Sequence, residues 1–219
     1  MEVNEKSKLS SEFLIHEFNA LQSRALNLEG IKSSRVNFFL LIVAAAIAGI
    51  STVYDKMLQI GPYIFAGVLI LFILGITTLK HSVDYSAAIV LLYRRAGRIR
   101  RWFININPEI GKYVAFEPND DRPLLDISIL AWRGGEAVVL LINALLLSIA
   151  ATAIFYFLWH PLVYGIGIIV FAVTWFGQMF FIHWRLRKAD LREQKNAYFP
   201  FKESPNLNGK ADFKDDPLK

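Results

Sequence analysis

The sequence predicts an all-α integral membrane protein with four transmembrane helices in two hairpins and a small cytosolic helical layer. Three observations indicate this. Hydrophobic residues make up 54% of the 219 residues, and most of them fall in four long stretches without a charged side chain. Lys and Arg are distributed very unevenly around those stretches. Two of the polar intervals have apolar residues at helical spacing.

The four uncharged stretches are residues 36–54, 57–79, 137–159 and 161–182. At about 1.5 Å per residue, each is long enough to cross a hydrocarbon core of about 30 Å. Only Asp55 and Lys56 separate the first two stretches, and His160 separates the last two. These short connections predict two hairpins, 36–79 and 137–182. A soluble protein with four buried helices is the disfavoured alternative.

The orientation follows from the basic residues. Of the 24 Lys and Arg residues, only Lys56 lies in a predicted hairpin turn. Positively charged loops remain in the cytoplasm, so we expect an inner (plasma) membrane protein with both termini cytoplasmic. The same bias explains the net charge of +5 without a nucleic-acid partner. The polar N-terminus does not predict a cleavable signal peptide.

Residues 1–35 are predicted to form a cytosolic amphipathic helix. Gly30 and the pair Ser33 and Ser34 would allow a bend before the first membrane stretch. The helix would have a narrow apolar seam, with residues at spacings of three and four, formed by Leu14, Phe18, Leu21, Ala25 and Leu28.

A second seam begins the cytosolic region 80–136 and continues the second membrane helix into the cytoplasm. The two helices run in opposite directions, so we expect them to pack together within one chain or between subunits. The second seam consists of Tyr85, Ile89, Leu92, Ala96, Ile99 and Phe103.

The remaining polar segments predict less structure. Asn107 and Pro108 should end the second helix, and Pro118 and Pro123 exclude another long one. Residues 124–132 are apolar and could lie at the membrane surface. Residues 183–201 should continue the fourth membrane helix as a cytosolic helix, whereas residues 202–219 have the composition of a disordered tail.

An arginine-rich segment is the main candidate binding site. Planar guanidinium groups match phosphate oxygens, so this segment could bind lipid headgroups, a nucleotide or another phosphorylated ligand, or RNA. The alternative is a solvated basic face paired with nearby acids. Arg94, Arg98 and Arg101 would share one helix face. The segment contains Arg94, Arg95, Arg98, Arg100 and Arg101.

Polar residues in the third membrane stretch form the second candidate site. Ser148 and Thr152 lie on a stripe of small residues with Ala144, which favours close helix packing. Asn143 could bond to a neighbouring helix or line a pore. Because no stretch contains an ionisable side chain, a pump or an ion-coupled transporter is disfavoured.

Catalysis has little support in the sequence. There is no cysteine, which excludes disulfides and thiolate chemistry. The four His residues have no paired ligand spacing, and Asp120 and Asp121, near Glu117, fit a turn better than a metal site. We therefore expect no enzyme activity, no catalytic residue, no metal and no cofactor.

The order of these motifs resembles a group of small bacterial four-span membrane proteins. The motifs are YRRAGRIRRWF, NPEIGKY, PNDDRP, WRGGE and LINALLLSI. A helix followed by a two-helix hairpin more loosely resembles the SLATT-type and Pycsar-type membrane effectors associated with anti-phage defence. The simplest of those have one hairpin, whereas two are predicted here. The resemblance implies a membrane effector and assigns no functional residue.

Two functions remain open from the sequence. The first is a homo-oligomeric membrane effector or channel-like assembly, gated when its cytosolic helices bind a partner protein or a nucleotide. The second is a structural or scaffolding membrane protein without transport activity. In both, the lipid bilayer with its anionic headgroups is a partner.

Overall fold

A computed structural model of the chain describes residues 2–52, 57–113, 134–156 and 163–195. Nearly all of these residues are helical. Four of the helices are long and apolar enough to cross a membrane, which confirms the all-α prediction. The connections 53–56 and 157–162 lie outside the described residues, so the hairpin turns remain a prediction. Residues 114–133, with Pro118, Pro123 and the apolar stretch 124–132, and residues 196–219 also lie outside them.

Helix α1, Glu2–Thr52, joins the predicted amphipathic helix and the first membrane stretch into one helix of 51 residues. The helix passes through Gly30, Ser33 and Ser34 without interruption. A glycine inside a helix costs only about 1 kcal/mol relative to alanine. The packing of the residues before and after Gly30 against the next helix offsets that cost, so the helix is not interrupted there.

Helix α2, Met57–Ile106, likewise joins the second membrane stretch to the second seam. It ends where the sequence predicts. The Asn107 N–H still donates to the Phe103 carbonyl at 3.0 Å, but Pro108 has no N–H to continue the helix. The Asn107 side-chain oxygen accepts a hydrogen bond from the Glu109 N–H at 3.2 Å. A 3₁₀ helix, Pro108–Tyr113, follows.

Helices α3, Gly135–Tyr156, and α4, Val163–Lys195, contain the third and fourth apolar stretches. Helix α2 contacts α1, α3 and α4. Helices α1 and α2 are antiparallel, because Phe18 lies against Arg100 while Arg35 lies against Tyr85. Helix α2 is therefore the central element to which the others are attached.

The two apolar seams pack against each other within one chain, as predicted. Ala25, Ile89 and Leu92 form a buried cluster, and Leu21 and Leu28 pack against it. Ala25 is a small residue and allows a close approach of α1 to α2. The two seams therefore contact each other within one chain, whereas packing between subunits stays a prediction.

A larger core lies where the apolar stretches of all four helices meet. It includes Phe39, Leu79, Leu140 and Ile182, each almost completely buried. On the outside of the same helices, large apolar side chains are exposed. An apolar exterior around helices of spanning length is typical of membrane proteins. Examples that are between 64% and 72% exposed are Phe38, Leu41, Ile70, Phe176 and Phe180.

Helices α2 and α3 approach each other closely at Gly75. A Cβ atom added there would overlap the amide oxygen of Asn143. The Asn143 side chain is buried and hydrogen-bonded to Gln178, so it is not free to move away. Only glycine allows this contact.

We expect Gly75→Ala to destabilise the bundle by about 1–3 kcal/mol, the usual cost of overpacking a close contact. Gly67→Ala on the same helix is the matched control, because nothing lies within 4 Å of its added Cβ atom. The midpoint of thermal unfolding in detergent measures both. A Gly75→Ala protein that unfolds at the same temperature as the Gly67→Ala protein would contradict this packing.

Candidate functional site

A cluster of ionisable and hydroxyl side chains lies at one end of the apolar stretches. The Glu136 side chain, in the first turn of α3, is 0% exposed. Its Oε1 atom accepts from Lys32 Nζ at 2.7 Å, Ser82 Oγ at 2.9 Å and Ser86 Oγ at 3.1 Å. Lys32 Nζ also donates to Ser86 Oγ at 2.9 Å. The cluster joins α1, α2 and α3.

The sequence places these side chains at one level of the bundle. Lys32 lies one turn before the first apolar stretch, and Ser82 and Ser86 lie one turn apart just after the second. Glu136 directly precedes the third stretch. Sequence reasoning missed the cluster. Opposite charges flanking neighbouring apolar stretches were the signal that could have found it.

Because this ion pair is buried, it adds little net free energy of folding, but it fixes the positions of α1, α2 and α3 relative to one another. Two charges lose most of their hydration when buried, and their attraction roughly repays that loss. Removing only one partner leaves an uncompensated charge and costs about 3–5 kcal/mol. The Glu136 Oε2 atom has no hydrogen-bond partner among the described residues. Lys32 therefore carries most of the compensation.

A second ion pair attaches α4 at the same level. Arg185 donates from Nε to Asp84 Oδ1 at 2.6 Å and from its second terminal nitrogen to Oδ2 at 2.8 Å. This bidentate geometry is the strongest form of a carboxylate contact with arginine. We call Lys32, Ser82, Asp84, Ser86, Glu136 and Arg185 the charged layer.

Arg94 of the predicted arginine site is buried within the bundle. Its side chain is 2% exposed, and its guanidinium donates to Asp190 Oδ1 of α4 at 2.9 Å. Arg94 is thus paired with an acid, as the alternative to ligand binding expects, but its side chain is buried rather than solvated. The guanidinium is part of the α2 to α4 contact.

The other four arginines are in different environments. Arg95 is exposed, whereas Arg100 lies over the Phe18 ring at 5.2 Å. Arg98 and Arg101 are half-buried, and each interacts with another part of the chain. Anion binding by these residues stays a prediction.

Tyr93, beside this segment, connects α2 to α1. Its hydroxyl donates to Glu29 Oε1 at 3.2 Å. Burial of the phenol, and secondly the negative charge of Glu29, raise the pKa of Tyr93 above its ordinary value. The phenol therefore remains a neutral donor at neutral pH.

The polar residues predicted in the third apolar stretch all face α4. Asn143 is 0% exposed, and its Nδ2 donates to Gln178 Oε1 at 3.0 Å. Ser148 Oγ donates to the Gly167 carbonyl at 2.8 Å, and Thr152 Oγ1 donates to the Ser148 carbonyl at 2.8 Å. These contacts correspond to the packing interpretation. A pore lined by these residues stays a prediction.

Metal binding has no candidate in the described part of the chain. No group of three His, Asp or Glu residues is close enough there to hold an ion. Asp120, Asp121 and Glu117 lie outside the described residues.

No family model, curated protein or solved structure matches this chain. Function must therefore be inferred from the contacts, charges and burial within the chain itself.

Arg94 and Arg95 provide a matched pair of substitutions. We expect Arg94→Gln to destabilise the protein by about 1–2 kcal/mol, because Asp190 loses a charged donor. Arg95→Gln removes the same charge from an exposed position and should change stability by less than about 0.5 kcal/mol. Thermal unfolding in detergent compares them. Equal effects would contradict a structural role for Arg94.

Proposed function

We propose that this chain is a four-span inner-membrane protein with both termini cytoplasmic, and that it acts as an oligomeric membrane effector or channel-like assembly gated through its cytosolic helices. One observation carries the proposal. Helices α1, α2 and α4 each continue from an apolar stretch into a polar segment without a break. Because a continuous helix is stiff, movement of its polar end moves its apolar end as well.

The charged layer supports gating at the boundary between the two parts. A buried ion pair is either paired or separated, so it can hold the bundle in one conformation until the pair is broken. Displacement of α1 by a ligand or partner would draw Lys32 away from Glu136. The carboxylate would then be left among Ser82 and Ser86, and the contact between α1 and α3 would weaken.

Exposed apolar side chains on the polar part of α1 support an assembly of several copies. Leu9 and Phe13, one turn apart, are 71% and 67% exposed, and Leu26 is 62% exposed. These residues precede the first apolar stretch by several turns, so the membrane does not cover them in the proposed orientation. Apolar surface exposed to water favours association.

The second candidate is a static scaffolding protein. Two ion pairs in the charged layer, together with the Asn143 to Gln178 hydrogen bond, hold the four helices in one arrangement. Such contacts favour a rigid bundle if no ligand competes with them. Ion flux separates this candidate from the first.

The absence of cysteine in the chain allows the topology to be tested with single introduced thiols. In intact spheroplasts, an impermeant maleimide should label Lys56→Cys, which lies in the predicted turn between the first two apolar stretches. It should label Ser23→Cys and Glu109→Cys only after the membrane is permeabilised, because those positions lie on the cytoplasmic side in the proposed topology. Labelling of Ser23→Cys in intact spheroplasts would contradict the proposed orientation.

Ion flux from liposomes tests gating. We expect Glu136→Gln to increase flux about tenfold or more over the unmodified protein, because loss of the charged partner weakens the contact between α1 and α3 and each 1.4 kcal/mol is about tenfold in an equilibrium. Glu12→Gln, at an exposed position of α1, is the control and should leave flux unchanged. If no variant conducts, with or without nucleotides and anionic lipid, the scaffolding function remains.

A further inference from the structure

A groove of about 380 Å³ lies between α1 and α2 at the end of their apolar stretches. Its polar end contains Arg35, directly before the first stretch, and His81, just after the second. Thr77 and Thr78 add hydroxyl groups at the same level. The groove therefore has a cation, an imidazole and hydroxyls at the boundary between the polar and apolar parts of the bundle.

The apolar end of the groove lies about one helical turn further along. Phe38 follows Arg35 by three residues, and Leu74 precedes Thr78 by four, so each lies on the same helix face as its polar neighbour. Both line the groove, and Phe38 is 64% exposed. The lining thus changes from polar to apolar along the helix axis.

The charge of Arg35 is not neutralised by the charged layer. Of the two carboxylates there, Glu136 is paired with Lys32 and Asp84 with Arg185. Arg35 lies over the Tyr85 ring at 5.4 Å, which orients the guanidinium without cancelling its charge. Among the described residues, the groove lining contains no acidic side chain. An anion is the complementary ligand.

We propose that this groove binds the phosphodiester headgroup of an anionic phospholipid. The guanidinium binds phosphate oxygens through paired N–H donors, while the Thr78 hydroxyl and the imidazole provide further hydrogen-bond donors. The Thr77 hydroxyl donates to the Ile73 carbonyl at 2.9 Å. One acyl chain lies along Phe38 and Leu74. The inference rests on the proposed four-span placement, which brings Arg35 to the depth of the headgroups.

Distance along α2 distinguishes this groove from the arginine-rich segment. The headgroup region adds only about 5–8 Å on each side of the hydrocarbon core. His81 lies two residues beyond the second apolar stretch, about 3 Å at 1.5 Å per residue, whereas Arg94 and the arginines after it lie about 20 Å or more beyond it. Headgroups therefore reach Arg35 and His81 but not the segment from Arg94 to Arg101.

The test uses the purified full-length protein in detergent, with bound lipid counted by native mass spectrometry. Phosphatidylglycerol and phosphatidylcholine with identical acyl chains are titrated separately. We expect the unmodified protein to prefer phosphatidylglycerol. Arg35→Gln should weaken phosphatidylglycerol binding about tenfold, because a charge-assisted contact is lost, and Arg35→Lys should restore part of it.

Matched controls separate the groove from general charge and apolar effects. Arg95→Gln removes the same charge from an exposed site outside the groove and should leave binding unchanged. Phe38→Ala should weaken the binding of both lipids several-fold. Leu41→Ala should leave the binding of both unchanged, because Leu41 is similarly exposed but lies outside the groove lining. Thermal unfolding without added lipid identifies any variant that is misfolded. If Arg35→Gln is misfolded, the affinity of Arg35→Lys is compared with that of the unmodified protein instead.

Three outcomes would overturn the proposal. These are equal affinity for the two lipids, equal loss of binding in Arg35→Gln and Arg95→Gln, and displacement of the lipid by inorganic phosphate alone, which would assign the site to free phosphate. Extraction by alkaline carbonate tests the four-span placement separately. A protein that resists extraction but shows any of these three outcomes retains its membrane placement and loses only the lipid site.

Discussion

The buried carboxylate of Glu136 is the constraint on which the arrangement of the helices depends. A carboxylate without water is tolerated only when positive charge and hydrogen-bond donors surround it. Here Lys32 of α1 and two serines of α2 provide them, with Lys32 Nζ at 2.7 Å. Any shift of one helix relative to the others would separate these groups. Helices α1, α2 and α3 are thereby held in one register.

The other polar contacts extend this constraint along the bundle. Asp84 and Arg185 attach α4 at the same level, and Arg94 with Asp190 attaches it again further from the apolar stretches. Within those stretches, Asn143 and Gln178 join α3 to α4. Two of these contacts join α2 to α4 and the third joins α3 to α4, so all three fix the position of α4 in the bundle.

The elements were largely predictable from local pattern, whereas the contacts between them were not. Length and lack of charge predicted the four helices, and spacing predicted the seam around Ala25 and Ile89. The helix is not interrupted at Gly30, because a weak local preference is overcome by packing on both sides. The arginine segment looked uniform in sequence, but only tertiary contacts show that Arg94 is buried and Arg95 is exposed.

The sequence alone determined that the chain is helical, where its apolar stretches begin and end, and where its charges accumulate, because these depend on composition and on spacing along one chain. The tertiary structure decided which charges become partners. Glu136 follows Lys32 by more than a hundred positions, and no periodicity links them. Only the packing of α1 and α3 against α2 places them together. The same packing pairs Asp84 with Arg185 and leaves Arg35 facing an open groove.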